Sequence, residues 1–417
     1  MNTVKREDIE IMAPVGSFES LMAAVQAGAN SVYFGLSKMN MRSRSSVNFT
    51  DEDLDKILEI CTKHKLKSYL TLNIVIYQEE LERMHSLIDL ALEKGVSAVI
   101  ASDHSVIGYA RSKGLDVHIS TQVNISNVDS VRFYAAFSDV MVLARELNMD
   151  QVKEIYETIE RENICGPSGK KVKLEMFVHG ALCMAVSGKC YMSLHEQNYS
   201  ANRGACLQVC RRAYNVKDKD SEIELDIENE YIMSPKDLST IHFVNKLMDA
   251  GVRVFKIEGR ARPAEYVHNV VDCYSEAVNS VIDGTYTQEK IEAWTKRLAS
   301  VFNRGFWDGY YLGQRLGEWS HVYGSTATKK KILVGKCSNY FSKLGVAEFT
   351  CEANEVEVGD ELLITGPTTG VVNFIIDEIR EDMKPVKKTT KGIRFSVKTP
   401  ELVRRNDKVF LWKLMEE

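Results

Sequence analysis

Apolar and polar positions follow two different textures along this chain. As far as about residue 260, short β-rich runs alternate with stretches that carry the three-to-four-residue apolar spacing of amphipathic helices. The runs are Ile9–Val15, Ser31–Gly35, Lys67–Asn73, Ala98–Ser102, Asp116–Gln122, Asp139–Ala144, Lys173–His179 and Arg253–Glu258. Between them lie helical patterns such as SFESLMAAVQAG and QEELERMHSLIDLALEKG, and several stop at a glycine, as helix ends do: Gly28, Gly95, Gly114 and Gly251. Strands separated by helices predict a parallel β/α architecture, and a count of eight favours a closed TIM-type (β/α)8 barrel over an open sheet. Two later helical runs, Pro263–Asp283 and Thr287–Asn303, are expected to brace that barrel. Past the aromatic segment FNRGFWDGYYLG the helices cease, and runs such as KILVG, LGVAEFT, DELLITG and KVFLWKL predict a small all-β barrel domain. The expected division is a barrel over 1–305, a linker over 306–330 and a β domain over 331–417.

Composition narrows the class. A chain of 417 residues is too long for one ordinary core, and 44% hydrophobic with 27% charged residues describes a globular protein. No run approaches the ~20 apolar residues of a membrane span. The opening MNTVKREDIE carries no apolar signal, so a cytoplasmic location with reduced thiols is expected. A net charge of −5 excludes a bulk polycation, and any nucleic-acid contact must use a local basic patch.

The chemistry concentrates after the seventh run. Cys183, Cys190, Cys206 and Cys210 are spaced C-x6-C-x15-C-x3-C within an insertion. Four thiolates brought together require a cation or oxidation. Structural zinc prefers paired C-x2-C knuckles, whereas an iron–sulfur cluster takes four cysteines at uneven spacings. The cluster reading leads, with zinc and plain buried thiols as alternatives. In a β/α barrel the active site lies just past the C-terminal ends of the strands. That rule selects Glu19, Asn73, Asp103, Gln122, Arg145, Glu146, His179, Lys256, Glu258 and Arg260 for inspection. Arg145–Glu146 and the Lys256, Glu258, Arg260 group are either rim ion pairs or, converging, a grip for carboxylate or phosphate. His179 is an acid/base group, a donor to the cluster's surroundings, or a packed histidine, with packing favoured. Two basic segments are candidate RNA contacts: Lys38, Arg42 and Arg44 after the second run, and Lys387, Lys388 and Lys391 in the β domain. No G-x-S-x-G, HExxH, P-loop or G-x-G-x-x-G after the first strand is present.

Glu175, Phe177, Gly180, Ala181, Cys183, Gly188, Cys190 and Ser193 together resemble the signature of the collagenase-like peptidase family, the thirty-second family of unassigned mechanism. IEIMAPVGSFESLMAAVQAGANSVYFG, LARELNMDQV and FKIEGRARPAEYV are similar to its other hallmark segments, so the resemblance spans nearly the whole chain. One small departure is Leu147-Asn148-Met149, where many relatives look like Leu-Ser-Leu. Within the family, length and layout are most similar to the prephenate-dependent tRNA uridine hydroxylation proteins. The resemblance implies a 4Fe–4S cluster on Cys183, Cys190, Cys206 and Cys210. It also implies tRNA as partner, and oxygen-independent hydroxylation of the wobble uridine with prephenate or a prephenate-derived donor. A small dicarboxylate donor would account for cations at the strand ends. Arg145, Glu146, His179, Lys256, Glu258 and Arg260 are the expected catalytic set. A collagenase-like peptidase is the alternative, weakened by the absence of a visible nucleophile, since cysteines spent as cluster ligands cannot attack a peptide bond. A non-catalytic RNA- or partner-binding cluster scaffold is the third.

Overall fold

A computed structural model describes residues 4–36, 39–43, 48–214 and 231–415. Every one of the eight β-rich runs forms a strand. In chain order they are β1 (Glu10–Pro14), β2 (Ser31–Phe34), β3 (Lys67–Leu72), β4 (Ala98–Ala101), β5 (Val117–Ile119), β6 (Val140–Val142) and β7 (Lys173–Gly180). A short β8 (Asp237–Ser239) precedes β9 (Val252–Ile257), which is the eighth stave. Neighbouring staves pair in parallel, and β9 pairs with both β1 and β7, so the ring closes. Every residue of β7 except the first is buried, as expected of a parallel strand covered on both faces. β8 runs antiparallel to the end of β7 and carries a further short strand, β10 (Phe306–Trp307), outside the ring.

Local signals explain the helices between the staves. Ser17 accepts from Ser20 N at the start of helix Phe18–Gln26, and Asn148 exchanges bonds with Gln151 at the start of helix Met149–Glu162. Each such cap contributes about 1 kcal/mol. Gly28, Gly95, Gly114 and Gly251 all adopt positive φ beyond helix ends. Apolar helix faces pack on the outside of the ring in one continuous core that includes Leu21, Phe34, Ile88, Phe255, Tyr266 and Tyr274. Truncating a fully buried ring such as Phe255 to Ala would cost about 3–5 kcal/mol. Among the described residues, no helix is long and apolar enough to cross a membrane.

The ring's interior differs from its outside. Met12, Tyr33, Tyr69, Ala98, Ile100 and Val254 form a separate apolar cluster there. Buried charges are layered against it. Glu10 accepts from Tyr69 Oη at 2.7 Å and pairs with Lys67 at 2.6 Å. Lys256 donates to Glu175 at 2.7 Å, and His118 Nδ1 lies 3.4 Å from the same carboxylate. Burial alone would raise the Glu175 carboxyl, but Lys256 and His118 outweigh it and hold it below its usual range.

The C-terminal residues form one antiparallel sheet. Its strands are β11 (Lys329–Phe341), β12 (Val346–Cys351), β13 (Glu361–Gly366), β14 (Gly370–Ile375), β15 (Ile379–Glu381), β16 (Lys384–Val386), β17 (Arg394–Lys398) and β18 (Lys408–Leu414). They pair in the order β14-β13-β18-β11-β12-β17-β15-β16 around a core of Val334, Phe349, Leu362, Ile364 and Phe395. The sheet docks on the barrel through Gln26, whose amide donates to Thr369 O and accepts from Val371 N, both at 2.9 Å. Leu363, Val371 and Trp412 join the barrel's own core. The 306–330 segment packs on the barrel as well, with Tyr311 Oη donating to Phe177 O at 2.9 Å.

Candidate functional site

The C-terminal ends of the staves open into a cavity of about 230 Å³, roofed by the cysteine-bearing segment that follows β7. Two glycines let the walls close. A side chain at Gly180 (φ 104°) would place its Cβ 2.5 Å from Glu258 O, where β7 and β9 converge. One at Gly204 (φ 81°) would meet Asn40 O at 2.6 Å, where the insertion lies on the loop after β2. The insertion is stitched down by its own polar groups. Val75 N donates to Asn202 O at 3.0 Å, Asn124 Nδ2 to Ser187 O at 3.0 Å, and Arg203 pairs with Glu80. Arg211 donates to Leu182 O at 2.6 Å and Pro235 O at 2.7 Å, tying both ends of the insertion together.

All four thiols, Cys183, Cys190, Cys206 and Cys210, line this one cavity. Burial raises the Cys183 and Cys210 thiols above their usual range, opposed by Arg145 at the first and Arg211 at the second. Cys210 also feels the charge of the other three thiols, and Cys183 that of Cys190 and Cys206. Among the described residues, no three His, Cys, Asp or Glu side chains are grouped to hold a single metal ion. A single tetrahedral zinc would need its sulfurs only about 4 Å apart, from Zn–S bonds of ~2.3 Å. Four cysteine thiols lining one chamber are the donor set that a four-iron cage takes.

The remaining lining is strongly cationic. Arg42, Arg145, Arg211, Lys256, Arg260, Arg262 and Arg304 face the cavity, against a single lining carboxylate among the described residues, Glu258. Three cations have carboxylate partners: Arg42 with Glu258 at 3.0 Å, Lys256 with Glu175, and Arg304 with Asp237 at 3.4 Å. For Arg145, Arg211, Arg260 and Arg262 there is no ion-pair partner among the described residues. Arg145 donates to Ala181 O at 3.1 Å and lies 3.8 Å over the Phe177 ring, and its Nε is buried without a partner. Arg260 donates to Thr71 Oγ1 at 2.8 Å and Asn40 Oδ1 at 3.0 Å, and burial pulls it down to about 10, still cationic at neutral pH. Burial would raise the Glu258 carboxyl, but Arg42, Arg145 and Arg260 together hold it below its usual range and ionised. Tyr33 Oη donates to Ile257 O at 2.8 Å beside it.

Of the strand-end residues singled out from the sequence, Asn73, Gln122, Arg145, Lys256, Glu258 and Arg260 reach the cavity. The others do not. Glu146 is exposed, in the turn that follows β6, and does not line the cavity. His179 is 1% exposed, enclosed by Tyr266, Tyr274 and Phe306, and burial lowers it to about 3. It is a packed neutral ring, not an acid/base group at the cavity. Asp103 caps helix His104–Ser112, and Glu19 lies in the first turn of helix Phe18–Gln26. The rim ion pairs weighed for the Arg145–Glu146 and the Lys256, Glu258, Arg260 groups do not form within those groups: Lys256 pairs with Glu175, Glu258 with Arg42, and Arg145 and Arg260 donate to neutral oxygens. Arg42 reaches the cavity, while Lys38 and Arg44 lie outside the described residues. Lys387, Lys388 and Lys391 are exposed on the β domain, and Lys388 pairs with Glu355 at 2.8 Å. Sequence reasoning missed Tyr33, Thr71, Arg211, Arg262 and Arg304. Arg211 had a local signal, standing directly after Cys210; the others are brought in by the ring.

A collagenase of Porphyromonas gingivalis is 63% identical over 98% of this chain and 99% of its own length. A tRNA hydroxylation protein of Bacillus subtilis is 28% identical over 93% of this chain and 92% of that protein. A 23S ribosomal RNA 5-hydroxycytidine synthase of Escherichia coli is 31% identical over 76% of this chain but 47% of the longer relative. The model of peptidase family U32 matches residues 16–321, which contain the barrel from its first helix onward and the whole cysteine insertion. The chain belongs to peptidase family U32.

Proposed function

We propose that this protein hydroxylates the wobble uridine of tRNA without molecular oxygen. It would form 5-hydroxyuridine with prephenate or a prephenate-derived donor, and Cys183, Cys190, Cys206 and Cys210 would hold a 4Fe–4S cluster. The observation that carries this reading is the convergence of four thiols and seven cations on one chamber. A bound cluster supplies a redox-capable or rigidifying centre in the roof. The chain's own residues supply the rest. Arg145, Arg211, Arg260 and Arg262 provide guanidinium forks for an anionic donor, which suits a dicarboxylate. Phe177 and Tyr33 offer apolar faces between those cations for an unstacked base, and taking a base out of its stack is inexpensive in a single-stranded loop. Glu258, held ionised by its arginines, is the carboxylate positioned to accept hydrogen bonds from a bound substrate. The names of the Bacillus and Escherichia relatives support an RNA base as the target.

A second reading, a collagen-directed peptidase, is favoured by the name of the 63%-identical relative. The cavity's lining weighs against it. Among the described residues no histidine lines the chamber to activate a serine or cysteine, and the one lining carboxylate is committed to Arg42. The two readings separate in one experiment. Nucleosides from tRNA of deleted and complemented cells are measured by mass spectrometry, while the purified protein is assayed on gelatin. Restored 5-hydroxyuridine derivatives without gelatin cleavage support hydroxylation. Cleavage that survives stringent repurification, with hydroxyuridine unchanged, overturns it.

A further inference from the structure

The cations of the chamber fall into two groups. The first surrounds Glu258. Arg42 pairs with that carboxylate, and Asn40 Oδ1, which accepts from Arg260, also accepts from Arg42 N at 3.0 Å. The charges of Arg42, Arg145 and Arg260 all reach Glu258. The second group gathers at β8. Arg304 pairs with Asp237, and Arg211 donates to Pro235 O and to Ser234 Oγ at 3.0 Å, just ahead of Asp237 in the chain. The Arg262 guanidinium lies 3.5 Å over the Phe302 ring, and that of Arg304 lies 5.1 Å over the same ring. The charges of Asp237 and Arg304 reach both Arg211 and Arg262. Arg211, Arg262 and Arg304 all line the cavity.

Two members of the second group have work in the fold. Arg304 neutralises the buried Asp237, and Arg211 ties the ends of the insertion. Arg262 has none. Among the described residues its guanidinium makes no hydrogen bond or ion pair, only ring contacts with Phe302 and, at 5.8 Å, with Tyr266. Gly259 leaves room for its stem, since a Cβ there would come within 3.1 Å of Arg262 Cγ. A ring takes one face of a guanidinium and leaves the N–H fork in its plane free for an oxyanion. Three guanidiniums around one carboxylate also leave an excess of positive charge, which is costly away from water unless an anion is bound. We propose that Arg262, backed by Arg304 beside Asp237, forms a second oxyanion subsite in the chamber, separate from the one at Arg145 and Arg260. This rests on the proposed reaction, which brings two sources of oxyanion: the donor's second carboxylate, and the phosphate of the nucleotide whose base enters.

Titration calorimetry on the anaerobically purified full chain compares two pairs of probes. One pair is prephenate and phenylpyruvate, which has one carboxylate fewer; the other is uridine monophosphate and uridine. In one pair the more anionic probe should bind roughly tenfold more tightly than its counterpart, as one charge-assisted bond provides. Arg262→Met should shrink that advantage to within a factor of two, leaving the counterpart's affinity and the iron content unchanged. Loss of the prephenate advantage assigns the donor's carboxylate to the subsite, and loss of the uridine monophosphate advantage assigns the phosphate. Arg262→Lys keeps the stem and the charge without the fork, so it should retain part of the advantage, and it is read alone if the Met variant does not fold. An advantage that survives undiminished in the folded variants overturns the subsite and leaves the proposed reaction standing. Equal weakening of every probe, or loss of iron with unchanged anion affinity, also overturns it, by placing Arg262 in the fold or in support of the cluster. A parent chain that binds none of the probes overturns the proposed reaction and the subsite together.

Discussion

The molecule holds two concentrations of positive charge, and they are built in opposite ways. In the β domain, Lys387, Lys388 and Lys391 are close in sequence, exposed to water, and partly neutralised by the Lys388–Glu355 pair. At the barrel mouth, Arg145, Arg211, Arg260 and Arg262 come from distant parts of the chain and meet in one chamber without ion-pair partners among the described residues. Exposed lysines cost the fold little and gain little, since water screens them. Cations withdrawn from water and left unpaired are expensive unless a bound anion compensates them. A run of like charges in sequence lies here on a solvated surface, whereas charges converging from separate parts of the chain are those that a bound anion would compensate.

The largest effect should come from removing a thiol. Cys206→Ser should strip most of the iron and abolish hydroxylation, while thermal stability of the β domain stays unchanged; full iron retention would break the link between the quartet and the cluster. Next is the chamber's charge. Arg145→Met keeps an apolar stem over Phe177 but removes the fork, and hydroxylation should fall roughly a hundredfold, the worth of charge-assisted bonds to a carboxylate. Iron content and RNA affinity should hold. Activity within a factor of two of the parent would show that this arginine is structural.

A smaller effect concerns the packed ring beside the chamber. His179 has an ordinary value of 6.5, lowered to about 3 by burial and Arg262. The unfolded chain therefore binds a proton that the folded chain refuses as pH falls below 6.5, and stability drops by up to about 1.4 kcal/mol per pH unit until about pH 3. His179→Phe should flatten the decline of the barrel's thermal midpoint between about pH 7 and about pH 4. An unaltered slope would show that the ring titrates normally and is not enclosed. The smallest effect belongs to the exposed patch. Reversing Lys387, Lys388 and Lys391 to Glu should weaken tRNA binding less than tenfold and flatten its salt dependence by at most about three phosphate contacts. A loss larger than that of Arg145→Met would invert the comparison between the two charge clusters.

All eight staves were legible because their burial on both faces leaves continuous apolar runs, and the helix ends because glycine is needed there. The cysteine quartet was legible because its residue type is rare and its spacing local. Partner choice was not. Lys256 stands two residues from Glu258 yet pairs with Glu175 across the β7–β9 seam, and Glu258 pairs instead with Arg42 from the loop after β2. Those pairings follow from ring closure, which no local pattern encodes. Arg145 and Glu146 were chosen together, although both lie in a turn past β6, where no strand alternation says which side chain enters the chamber. Tyr33 and Thr71 sit inside apolar runs, where only the alternation between the ring's interior and its exterior distinguishes them.

The proposed function requires that the four thiols sharing the chamber with the arginines hold an iron–sulfur cage. Iron, zinc and acid-labile sulfide measured on one anaerobic preparation of the full chain test it most directly. The expected result is a brown protein with roughly four irons and four sulfides per chain, as for a cubane held by four Cys thiolates. Stoichiometric zinc with no acid-labile sulfide would contradict it.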